Sequence, residues 1–125
     1  MAIIKTFKDL IVWQKAHDLV LYTYKITKKL PREESFVLVT QMRRAAISVA
    51  CNIVEGHRRL SVKESLKFYN ISSASLEELK YQFLICRDLF YFDKNEYEKS
   101  ISLSELVGSS LFKWIESQKN NAGIK

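Results

Sequence analysis

Apolar residues recur at helical spacing through most of the chain, and four amphipathic segments follow from that period. From Asp9 to Leu30, residues Val12, Trp13, Ala16, Leu19, Val20, Thr23 and Ile26 fall on one face. With side chains about 100° apart, that face spans roughly 160–200°, wider than the ~100° stripe of a helix buried on one side. It predicts a first helix buried on two sides, with Lys8, Lys15, Asp18, Lys25 and Lys29 in the remaining arc. Pro31 ends it. A second segment opens at Glu33 and Glu34, where negative charge suits the positive end of a helix dipole. It runs to about Glu55, with Leu38, Met42, Ala45, Val49 and Asn52 or Ile53 at three-four spacing. Gly56 is expected to close it with positive φ, leaving His57 exposed.

Ser61-Val62-Lys63-Glu64 has the residues of a capping box and starts a third helix through Leu66, Tyr69, Ser73, Leu76, Phe83 and Leu89. Its small residues Ser72, Ser73, Ala74 and Ser75 would let a neighbouring backbone approach closely. Asp93-Lys94-Asn95-Glu96 repeats the capping logic and starts a fourth helix, which runs to about Ser117. The domain is expected over 1–119, with a frayed tail over 120–125. Connections of a few residues force neighbouring helices antiparallel. The expected fold is all-α, an antiparallel up-down-up-down four-helix bundle.

Composition narrows the picture. The chain has 125 residues, three glycines and one proline, which suits a single domain and leaves too few glycines for a Gly-rich phosphate loop or a β-sandwich. Hydrophobic residues at 47% and charged residues at 27% argue against disorder. Lys5, Lys8 and Asp9 interrupt any secretory apolar region. The longest uncharged stretch, Ala45 to Val54, is about half a membrane span, so no membrane partner is expected. Cys51 and Cys86 lie in apolar runs, read as buried hydrophobes, and form no Cys-x-x-Cys pair. That usage points to a reducing cytoplasm.

Few residues carry catalytic chemistry. A di-iron bundle needs Glu-x-x-His pairs, and neither His17 nor His57 has a Glu three residues earlier. Zinc spacing is absent too, so no metal or cofactor is expected. No nucleophile elbow supports a Ser-His-Asp set. Arg44, Ser48, Asn52 and Glu55 form one stripe at i, i+4, i+8 and i+11. Its favoured reading is structural, a solvated face or an internal salt bridge; the sharper reading is a polar network of Asn52 and Glu55 reaching Glu77 or Glu78 on the third helix, or another subunit. An enzyme reading would pair the Glu55 and Glu78 carboxylates. The net charge of +6 is uneven: residues 1–60 carry eleven basic and five acidic groups, and residues 61–125 carry nine of each. Arg43, Arg44, Arg58 and Arg59, supported by Lys15, Lys25 and Lys29, are the candidates for phosphate contact. A merely solvated basic face is the competing explanation.

Phe7-Lys8-Asp9-Leu10-Ile11-Val12-Trp13-Gln14-Lys15-Ala16, Gln41-Met42-Arg43-Arg44-Ala45-Ala46-Ile47-Ser48 and Asn52-Ile53-Val54-Glu55-Gly56 stand in a characteristic order, followed by Arg59, Ser61, Glu64, Phe68, Ser75 and Glu78. Over about residues 5–92 the chain resembles the four-helix-bundle family encoded in intervening sequences of bacterial 23S ribosomal RNA genes. The family usually has Ala where Val54 stands and often Gly where Ala74 stands. The resemblance implies an antiparallel bundle assembled as a ring-like homopentamer, without an assigned activity. A related bundle, the accessory protein of diversity-generating retroelements, is a basic pentamer that binds nucleic acid and a reverse transcriptase. A pentamer interface would use the wide apolar arc of the first helix, with Val12, Trp13 and Leu19 as core or interface residues, and five copies would multiply the basic charge. The resulting expectation is a non-enzymatic, oligomeric bundle associated with RNA or DNA; the alternative is a protein-binding scaffold.

Overall fold

Thr6 and Asp9 organise the start of the chain. The backbone N–H groups of Lys5 and Thr6 donate to Asp9 Oδ2 at 2.8 and 3.1 Å, and Thr6 Oγ1 accepts from the Lys8 N–H. These bonds fix a 3-10 turn over Phe7–Asp9 and hold the Asp9 carboxyl below its usual range. The first helix, α1 (Ile11–Thr27), therefore starts after Asp9, not at it. Structure is described for residues 3–124 in this computed structural model. The domain expected over 1–119 and the tail over 120–125 reach beyond it at Met1, Ala2 and Lys125, which lie outside the described residues.

The second helix differs from expectation at both ends. Glu33 and Glu34 belong to a separate 3-10 turn, Arg32–Glu34, and α2 spans Leu38–Arg58. Val37, at φ −118° and ψ −91°, breaks the helical path between them. Gly56 does not cap α2. It lies inside the helix without positive φ and is buried against the Tyr69 ring. His57 is half-buried rather than exposed.

Helix α3 (Val62–Asp88) starts where Ser61 Oγ accepts from the Glu64 N–H at 3.2 Å. Helix α4 (Lys94–Asn121) starts with a full reciprocal box: Asp93 Oδ1 accepts from the Glu96 N–H, and Glu96 Oε1 accepts from the Asp93 N–H, each at 2.8 Å. It continues past Ser117 because Gly123, at φ +68°, closes it in a Schellman turn, with the Ile124 N–H donating to the Lys119 carbonyl at 2.8 Å. The same turn ends α3, where a non-glycine residue, Phe90, takes φ +64° and the Tyr91 N–H reaches the Cys86 carbonyl at 2.8 Å.

The four helices close a ring of neighbours, α1 on α2, α2 on α3, α3 on α4 and α4 on α1, which makes an all-α four-helix bundle. The α2–α3 seam is the most extensive. There Ser65 Oγ donates to the Gly56 carbonyl at 2.6 Å and Ser72 Oγ to the Val49 carbonyl at 2.7 Å. Small α3 side chains thus bring the two backbones together and satisfy their own hydroxyls. The core stacks Leu19, Met42, Val49, Ile53, Leu79, Phe83, Val107 and Leu111. Val12 and Leu19 are core residues, whereas Trp13 is half-buried on its edge. Because α1 touches both α2 and α4, one bundle already buries much of its wide apolar arc. No described helix is long and apolar enough to cross a membrane.

Candidate nucleic-acid interface

The seven cationic candidates do not form one patch. Arg43 and Lys29 sit where α1 ends and α2 begins, Arg58 and Arg59 at the far end of α2, and Lys15 near the start of α1. Arg43 is turned inward on α1: its Nε donates to Thr27 Oγ1 at 3.0 Å, one Nη donates to the Tyr24 carbonyl at 3.2 Å, and the guanidinium lies 4.5 Å from the Tyr24 ring centre. It serves the C-terminal end of α1, where a cation complements the dipole. Arg59 pairs with Glu55 one turn earlier and stacks 4.5 Å over Phe68. Arg44 and Arg58 are exposed and make no ion pair among the described residues.

The polar stripe of α2 also divides. Asn52 Nδ2 donates to the Ser48 carbonyl at 2.8 Å, and Ser48 Oγ shares a 2.8 Å hydrogen bond with Ser75 Oγ on α3. This is a structural link across the α2–α3 seam. Glu55 and Glu78 do not join Asn52 in it: Glu55 pairs with Arg59, and exposed Glu78 accepts from Gln82 at 3.2 Å. Seam contacts join Ser65 to Gly56 and Ser75 to Ser48, so Glu55 and Glu78 lie on opposite sides of the Ser48–Ser75 contact and do not form the carboxylate pair an enzyme reading needs. Cys51 is exposed, contrary to its reading as a buried hydrophobe, and Cys86 is buried beside Met42. Among the described residues, no group of three His, Cys, Asp or Glu side chains could hold a metal.

Sequence reasoning missed three surface features. A cleft of about 340 Å³ between α1 and α4 is lined by Tyr22, Lys25, Ile26, Lys29, Asn95, Glu96 and Lys99. A more apolar cleft of about 650 Å³ lies farther along the same seam, among Ile4, Ile11, Lys15, Leu106, Lys113 and Trp114. The third feature is at the bundle end, where Tyr91 donates to Glu34 at 2.9 Å and ties the α3–α4 turn to the α1–α2 connection. There Phe36 and Phe90 are 93% and 92% exposed. The short sequence distances of helical periodicity carry no signal for clefts walled by residues some seventy positions apart.

The bundle and its motifs match known proteins. The sequence model of the 23S rRNA-intervening sequence protein family covers residues 8–113. The chain belongs to that family. The match extends into α4, beyond the stretch over which the opening motifs carry the resemblance. A crystal structure from Bacteroides thetaiotaomicron, described as a protein of unknown function from the S23 ribosomal protein family, superposes with a TM-score of 0.79. It is 24% identical, over 87% of this chain and 98% of that one, and shows the same fold. No curated protein matches. Family membership brings no named enzymatic activity.

Proposed function

We propose that this family member is a non-enzymatic, oligomeric bundle that associates with RNA through its basic surface. The observation that carries this reading is the charge asymmetry: the whole excess of +6 lies in residues 1–60. Exposed Arg44 and Arg58, without ion-pair partners among the described residues, add cations available to phosphate. Arg43 and Arg59, held by internal contacts, contribute less. Affinity for mixed RNA should fall steeply between about 50 and 200 mM salt. Changing both Arg44 and Arg58 to Gln should weaken binding and lower the salt slope by about two. Undetectable binding at low salt would overturn the proposal.

Oligomerisation is supported by the half-exposed α1–α2 face, where Trp13 stacks on His17 at 4.9 Å beside Ile47 and Cys51. Cyclic assembly would join this face to a different patch on the next subunit. Sedimentation velocity across a concentration series should reveal a pentamer; a monomer at micromolar concentration would refute it. The scaffold reading is favoured by one observation, the exposed Phe36 and Phe90 at one end. It predicts a protein partner whose capture survives nuclease and is lost when both are changed to Ser.

A further inference from the structure

The smaller α1–α4 cleft combines three features. Its basic groups, Lys25, Lys29 and Lys99, outnumber its one carboxylate, Glu96. Glu96 is already committed: it takes Lys29 Nζ at 2.6 Å and accepts from the Asp93 N–H. Lys25 and Lys99 are exposed and have no ion-pair partner among the described residues, so an incoming anion meets two available ammonium groups.

The second feature is the wall. Tyr22 lines the cleft, and its hydroxyl is used internally, in a 2.8 Å hydrogen bond shared with Ser100 Oγ. It is braced from behind by Phe83, edge-on at 6.4 Å. What remains for a ligand is ring surface, continued by Ile26. Lys99 Nζ lies over that ring, 5.5 Å from its centre, so a base stacks there once this long, exposed side chain turns from the ring to the phosphate. Third, Asn95 at the rim offers a donor and an acceptor. The volume, about 340 Å³, lies at the small end of ligand pockets.

We propose that this cleft holds a single unpaired nucleotide, with its phosphate on Lys25 and Lys99 and its base against Tyr22 and Ile26. A base paired within a duplex cannot present its face to such a wall, whereas bases of a single strand stack readily on aromatic side chains. The inference rests on the RNA-association reading and sharpens it: the preferred form is single-stranded.

The full chain should be titrated by fluorescence anisotropy with a labelled single-stranded RNA and with the same strand annealed to its complement. Single strands should bind about tenfold more tightly. Lys25→Gln with Lys99→Gln, and separately Tyr22→Leu, should abolish that preference, while Tyr22→Phe, which keeps the ring, should preserve it. Equal affinity for both forms, unaltered by Tyr22→Leu, would overturn the cleft assignment and leave RNA association standing.

A second measurement separates the two hypotheses without variants. Adenosine monophosphate should shift NMR resonances of Tyr22, Ile26, Lys25 and Lys99, and inorganic phosphate should shift only the lysines. Such shifts would support the cleft even if long RNA failed to bind. Their absence, or identical shifts from phosphate alone, would overturn it.

Discussion

Gly56 shows how one hydrogen atom can set a packing distance. A Cβ built there would lie 2.7 Å from Tyr69 Cδ1, and the ring has little room to retreat because Tyr69 is buried and meets Trp114 edge-on. Overpacking of this kind costs about 1–3 kcal/mol, so Gly56→Ala should lower the urea midpoint by that equivalent at unchanged slope. Phe90 is the opposite case. It holds φ +64° while its side chain is almost wholly exposed, so burial of the ring contributes little to offset the backbone cost. Left-handed backbone costs an L-residue about 1–2 kcal/mol, and Phe90→Gly should raise stability by about 1 kcal/mol in thermal unfolding. Neither role is legible from sequence. Glycine after a helical run reads equally as a cap or as a close contact, and nothing local marks a phenylalanine as left-handed.

Among the elements, the starts of α3 and α4 were legible and the start of α2 was not. Capping is a contact within four residues, so Ser61 and Asp93 announce it directly. The break near Val37 depends on how the connection from α1 meets the α3–α4 turn, where Tyr91 reaches Glu34. The paired arginines Arg43 and Arg44 look alike in sequence, yet one is bonded to the end of α1 and the other faces solvent. Arg43→Ala should therefore cost about 1–2 kcal/mol in denaturant unfolding, since it removes hydrogen bonds made by a charged group. Arg44→Ala should stay within about 0.5 kcal/mol of the parent. Equal losses would contradict this division between a structural and a surface arginine.

For the whole molecule, burial links stability to alkaline pH. Burial pushes the Cys86 thiol from an ordinary value of 9.0 up to about 12, and the nearby Glu34 charge adds to the rise. Unfolded chains release this proton near pH 9 while folded chains keep it, so stability is undiminished below pH 9 and declines from there toward pH 12. Burial raises the phenols of Tyr22 and Tyr69 as well, which extends the loss above their ordinary value of 10.0. Denaturant midpoints measured from pH 8 to 11 should fall, and Cys86→Ala should flatten the early part of that fall; a flat profile in the parent would refute the linkage. The charge excess also belongs to this scale. Residues 1–60 carry all of it, but folding sends it to both ends of the bundle and to the α1–α4 seam.

Four helices, the capped starts of α3 and α4, the antiparallel order and the family follow from the sequence alone. The helices and their order come from contacts within a few residues and from hydrophobic periods that any bundle must satisfy, whereas the family comes from the order of its particular motifs. Tertiary structure decided which of two adjacent arginines stays available, why Gly56 must lack a side chain, and that Glu55 and Glu78 take separate partners. It also decided that Tyr22 and Lys25 face Lys99 across one cleft. The reason is geometric: residues distant in the chain become neighbours only when helix rotation and stagger are fixed. Those are set by side-chain interlocking across the seams, which periodicity does not encode.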